Sequence, residues 1–121
     1  MKIGNLTEVE QYQAIVRMMN LLGCKAQEPN SIYTWWYRDG GPKDDECIVY
    51  IGQIVSLLIN EVALEHFLLK VVMIIGKLCS VRLDNYRGEW NVYIDSLEAL
   101  HKSKELYEAL FLSINDYINK K

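Results

Sequence analysis

The run from Asn60 to Asp95 constrains the fold most, because it joins an apolar helical segment to an alternating hairpin through a short glycine-containing stop. Val62, Phe67, Leu68, Leu69, Val71, Val72, Met73, Ile74 and Ile75 occupy more than one stripe of a helix over Glu61 to Ile75, so the spacing predicts a helix covered on several sides. Asn60 can cap its first turn, Glu61 and Glu65 suit the positive end of the dipole, and Gly76 can supply a left-handed closing residue. In CSVRLD-NYRG-EWNVYID, Cys79, Val81 and Leu83 alternate with Ser80, Arg82 and Asp84. Trp90, Val92 and Ile94 likewise alternate with Glu89, Asn91, Tyr93 and Asp95. One face of this hairpin must rest on something, and a helix that ends just before it is the nearest candidate. Val71, Ile75, Val81, Leu83, Trp90 and Val92 form the expected core.

The rest of the chain supplies elements around that unit. Thr7-Glu8-Val9-Glu10 reads as a capping box, and Val9, Tyr12, Ile15, Val16, Met19 and Leu22 follow at helical spacing until Leu22-Gly23. Lys25 to Ser31 reads as a loop, Ile32 to Arg38 (IYTWWYR) as an aromatic strand and Cys47 to Ile51 as its return. DGGPKDDE between them reads as an exposed turn. Ile54 to Ile59 fits a short strand or an early extension of the central helix; the strand is preferred because Asn60 is the better cap. Ser96 to Lys102 reads as a loop, and Ser103 as the cap of a last helix that buries Leu106, Ala109, Leu110, Ile114, Tyr117 and Ile118. The expected fold is a single α+β domain over residues 1–121: an antiparallel sheet of four to five strands with three helices packed on it, an α/β/α sandwich-like arrangement.

Composition narrows the function classes. Asn60, Glu61, Glu65, His66 and Lys70 interrupt the longest apolar run, which stays short of the roughly 20 residues a membrane span needs. MKIGNLTEVEQ has no apolar core followed by a cleavage site, so a cytoplasmic protein is expected. Cys24, Cys47 and Cys79 show no metal or redox spacing and read as small packed hydrophobes. The net charge of -3 argues against direct nucleic-acid binding. All of that excess lies between Asp39 and Glu46, where Asp39, Asp44, Asp45 and Glu46 face only Lys43; the remainder balances at 12 acids and 12 bases.

No catalytic or metal motif stands out. Glu61, Glu65 and His66 share the start of a helix but lack the spacing of a zinc site such as HExxH, and first-turn acids are favoured by the dipole in any case. His101 near Ser96 and Ser103 lacks a nucleophile elbow, and Gly40-Gly41 beside an acidic cluster carries the wrong charge for a phosphate cradle. Neither an enzyme nor a cofactor or metal is therefore expected. The aromatic strand is the least ordinary feature. Tyr33, Trp35 and Tyr37 with Arg38 lead into the acidic stretch, and together with Asp39, Asp44, Asp45 and Glu46 they form the candidate partner-binding set: an aromatic anchor beside a charged rim.

The run FLLKVVMIIGKLCSVRLDNYRGEWNVYIDSLEALHKSKELYEALFLSINDYI resembles the C-terminal half of the phage ABA sandwich domain family: helix, strand, a hairpin marked by Gly88 and Trp90, strand, then a helix with Ala109 in its first turns. Phe67 falls where that family tends to hold a buried aromatic, and Trp35-Trp36 fall near its earlier tryptophans. The resemblance spans residues 60–118, with a looser match before it, and rests on packing residues. Lys102-Ser103-Lys104 stands where the family often has an acidic residue and a proline. The resemblance implies a small phage or prophage protein with helices on both sides of an antiparallel sheet, with no catalytic residues to carry over. It implies a protein that binds and disables a bacterial host protein, such as a nucleic-acid-handling component of antiphage defence, for example a CRISPR effector. An alternative expectation is an oligomeric sponge for a small molecule or nucleotide, with a pocket between copies lined by Trp35, Tyr37 and Arg38.

Overall fold

The predicted capping box opens the first helix in the computed structural model, which describes residues 2–22, 24–26, 35–38 and 49–120. The Thr7 hydroxyl accepts from the Glu10 N–H at 3.2 Å, and the Thr7 N–H donates to the Glu10 carboxylate at 3.0 Å. Helix α1 (Glu8–Leu21) follows and buries Ala14, Ile15, Met18 and Met19. The Thr7 N–H and then the Thr7 hydroxyl hold the Glu10 carboxyl below its ordinary pKa. Its stabilising effect is therefore complete above the ordinary carboxylate pKa and is lost as pH falls through the lowered value. Thr7→Ala is expected to destabilise the protein by about 1 kcal/mol, read as a lower midpoint in urea at unchanged slope.

The chain continues as β1 (Cys24–Ala26), β2 (Trp35–Arg38), β3 (Val49–Tyr50), α2 (Ile51–Leu58), α3 (Glu61–Ile75), β4 (Val81–Tyr86), β5 (Glu89–Ile94), β6 (His101–Ser103) and α4 (Leu106–Asn119). The strands form two antiparallel sheets of three, ordered β1-β2-β3 and β4-β5-β6, in place of the single sheet of four to five strands expected. Helices α2 and α3 stand between the two sets of strands in the chain, so each set closes its own ladder. Four helices are described where three were expected, because Ile51–Leu58 is helical and not a strand. Ile54 is fully buried, Leu57 and Leu58 are half-buried, and Ser56 and Ile59 are exposed, which is helical spacing. Asn60 does cap α3, its side chain accepting from the Ala63 N–H at 3.0 Å. A cap between two helices fixes the start of the second and says nothing against the first.

The core is organised around α4 more than α3. Tyr107, Ala109, Leu110, Phe111, Ser113, Ile114 and Asn115 are all buried, and α4 lies against α1, α3, β5 and β6. Helix α3 instead buries one stripe (Leu64, Leu68, Val71, Val72, Ile75) and leaves Val62 and Met73 exposed, so the expectation of cover on several sides does not hold. Of the expected core, Val71, Ile75 and Val92 are fully buried, whereas Val81, Leu83 and Trp90 are half-buried against it. Gly76 closes α3 in right-handed geometry at φ -60°, not left-handed, since the chain runs on through further turn bonds from Leu78 and Cys79 to the Ile75 carbonyl.

Two N-terminal features of α4 differ from the sequence reading. The cap is Glu105, without a side-chain bond, and Ser103 lies in β6 within the segment read as loop and cap. The strand forms because its inward side chains meet α4: the Ser103 hydroxyl donates to Glu108 at 2.8 Å, and His101 Nε2 lies 2.6 Å from Asp116. Glu108 also accepts from the Gly4 N–H at 3.0 Å, tying the N-terminal turn to the same helix. Burial, and then the carboxylates of Glu61, Glu105 and Glu108, push the Tyr107 phenol above its ordinary pKa, so it stays neutral inside this seam.

Candidate functional site

Tyr33, Asp39, Asp44, Asp45 and Glu46 of the sequence-derived binding set lie outside the described residues. Trp35, Tyr37 and Arg38 lie on β2, whose backbone alone is described; β2 pairs with β1 and β3, in the register Trp35 with Tyr50 and Lys25 with Tyr37. The described residues present a different surface, the outer face of the β4-β5-β6 sheet.

That face is built by the hairpin. Arg87 and Gly88 take positive φ values (53° and 84°), the two-residue turn whose twist suits antiparallel strands, and the Asn85 side chain accepts from the Gly88 N–H at 3.1 Å. Opposite pairing then sets Arg82 beside Tyr93, Asp84 beside Asn91 and Tyr86 beside Glu89, with Lys102 of β6 on the far side of Asn91. Trp90, Val92 and Ile94 point the other way, into the core. The Arg82 guanidinium sits 4.1 Å from the centre of the Tyr93 ring, and that of Arg87 lies 5.3 Å from the Tyr86 ring. Such stacks hold both arginine and tyrosine in fixed orientations.

Asn91 is the central group. It is buried on a face whose other side chains are exposed or half-buried, and its amide donates to the Asp84 carboxylate at 2.9 Å and to the Glu89 carbonyl at 3.5 Å. The pairing fixes Asp84 at the floor of a shallow groove of 480 Å³ lined by Asp84, Asn85, Tyr86, Glu89, Asn91, Tyr93 and Lys102. Two carboxylates, one ammonium and two phenols converge there. The groove can take up polar or charged side chains, and its tyrosines offer rigid contact area at low entropic cost. The alternation R-x-D-x-Y and E-x-N-x-Y at positions 82–86 and 89–93 carries the signal for this face, since its members recur every second residue on the side opposite the apolar set.

The other groups weighed from sequence do not converge. His101 faces Asp116, Ser103 gives its proton to Glu108, and the Ser96 hydroxyl accepts from the Glu98 N–H at 3.1 Å. The histidine thus has an orienting carboxylate, while each serine is bonded elsewhere. Glu61 and His66 are exposed and Glu65 is half-buried on α3. Among the described residues no group of three His, Cys, Asp or Glu side chains could hold a metal ion. Cys79 is a half-buried free thiol 3.8 Å from the Tyr117 hydroxyl. Among the described residues no helix is long and apolar enough to cross a membrane.

No family model, curated protein or solved structure matches the chain.

Proposed function

We propose that the chain acts by binding: it is a protein of phage or prophage type that occupies a bacterial host protein and blocks it, the target being a nucleic-acid-handling component of antiphage defence. The observation that carries the binding role is the open sheet face, where Tyr86, Tyr93 and Arg82 are held by stacking and strand pairing around the half-buried Asn91–Asp84 bond. Tyrosine and arginine dominate the energetic centres of protein interfaces, and side chains already ordered in the free protein lose less entropy on docking. The phage setting follows from the family resemblance over residues 60–118. A basic nucleic-acid channel in the target is supported by the concentration of excess negative charge between Asp39 and Glu46, which would speed association and compete with nucleic acid.

The two parts of this reading have separable signatures. With the protein immobilised and a bacterial lysate passed over it, Tyr86→Ala combined with Tyr93→Ala should weaken capture of the partner, mainly by speeding dissociation. Asp44, Asp45 and Glu46 changed together to lysine should slow association and remove its salt dependence. A partner that binds the charge-reversed protein as fast as wild type would remove the basic-channel target. One that ignores the tyrosine substitutions would remove the sheet face.

A further inference from the structure

Among the described residues no strand lies on the outer edge of β4, although β4 is six residues long and pairs with β5 in unbroken register. Exposed edges of this length are ordinarily blunted by proline, charged side chains or a bulge; Val81–Tyr86 has no proline and no bulge, and its two charges, Arg82 and Asp84, are opposite in sign and can complement a second copy of the strand. The opposite edge of the sheet, β6, is three residues long, carries Lys102 and is followed by Lys104. The Asp95 N–H donates to the Ser80 carbonyl at 2.7 Å, so residues 80, 82, 84 and 86 direct their backbone groups towards β5. Val81, Leu83 and Asn85 consequently direct theirs to the free edge.

We propose that this edge is a self-association surface on which β4 of a second copy pairs antiparallel about a two-fold axis at Leu83, giving a continuous six-stranded sheet. A two-fold axis between antiparallel strands stands perpendicular to the sheet, so opposed residues point to the same face. The registers it allows differ in what they do with the charges. Centred on residue 82, the pairing sets arginine on arginine; centred on residue 84, aspartate on aspartate. Centred on Leu83 it sets Arg82 opposite the partner's Asp84, and Asp84 opposite the partner's Arg82, both as non-hydrogen-bonded pairs in which side chains approach most closely. The outward backbone groups of Val81, Leu83 and Asn85 then meet the partner's in hydrogen-bonded pairs. Leu78 and Tyr86, 61% and 65% exposed, flank opposite ends of the strand, and antiparallel pairing brings each towards the other copy's counterpart. Strand pairing alone is a small interface, so the dimer forms as a function of concentration.

Sedimentation equilibrium of the full chain tests this. Wild type should show a concentration-dependent dimer, and Arg82→Asp or Asp84→Arg alone should weaken it about tenfold or more, since each creates two like-charge pairs across the two-fold axis. The two single variants mixed together should form a heterodimer, and the double variant R82D/D84R should dimerise like wild type. Neither result restores the intrachain contacts to Tyr93 and Asn91, so recovery reports pairing between copies. Val81→Pro removes an N–H that faces only the free edge, and should give a folded monomer even if a charge variant does not fold. A wild type that is monomeric at every concentration, or single variants that associate as well as wild type, would overturn the proposal.

Discussion

Phe111→Ala should lower the thermal midpoint by about 10 to 20 °C, corresponding to about 3 to 5 kcal/mol. Among the described residues Phe111 is the largest fully buried side chain, and it stands on α4, the helix that α1, α3, β5 and β6 all touch. Its removal leaves a cavity that none of these elements can fill without losing contacts to the others. Because a domain of this size holds only about 5 to 15 kcal/mol in total, the variant should be close to unfolding at physiological temperature. Leu97→Ala is the matched control: Leu97 is 96% exposed, and its truncation should change stability by less than about 0.5 kcal/mol. Equal midpoints for the two variants would mean that α4 is not the centre of the core.

Ile54→Ala should destabilise by about 2 to 5 kcal/mol, whereas Ile59→Ala should be nearly neutral. Ile54 is completely buried and Ile59 is 75% exposed, a contrast that follows from helix α2. A strand over the same residues would place Leu57 and Ile59 on one face and bury or expose them together. Denaturant midpoints of Leu57→Ala and Ile59→Ala separate these arrangements, because the helix half-buries Leu57 and leaves Ile59 exposed. Comparable losses at both positions would contradict the helix.

What the sequence made legible was local. Thr7 with Glu10 and Asn60 with Ala63 are each decided within four residues and appear where the pattern places them, while the turn read as NYRG narrows to Arg87-Gly88, with Asn85 and Tyr86 paired in β4. Alternation through the hairpin sent Trp90, Val92 and Ile94 inward and thereby defined the outer face as well. The features that were not legible depend on partners far along the chain. Strand β6 exists because His101 and Ser103 meet Asp116 and Glu108, which the run LEALHKSKE does not reveal. Ile51–Leu58 is apolar enough for either strand or helix, and its choice rests on packing against α1 and α3. The number of apolar residues in α3 exceeds what one stripe can bury, so composition pointed to the wrong helix as the most enclosed; α4, with fewer signals, is surrounded because four elements converge on it.

The sheet face was not singled out in the sequence as a site. Aromatic and acidic side chains marked the segment from Tyr33 to Glu46, while the tyrosines, arginines and carboxylates of the hairpin looked like an ordinary solvent face until pairing set Arg82 on Tyr93 and Asp84 on Asn91. Spacing gives the face on which a side chain lies; only register gives its neighbour across the ladder.

The most direct test of a binding role is the dissociation rate of the captured bacterial protein from wild type and from the Tyr86→Ala, Tyr93→Ala double variant, with both shown to have the same thermal midpoint. The open sheet face predicts dissociation at least about tenfold faster from the variant, the loss expected when interface anchors are truncated. Equal dissociation rates, or a wild-type chain that retains no bacterial protein, would contradict it.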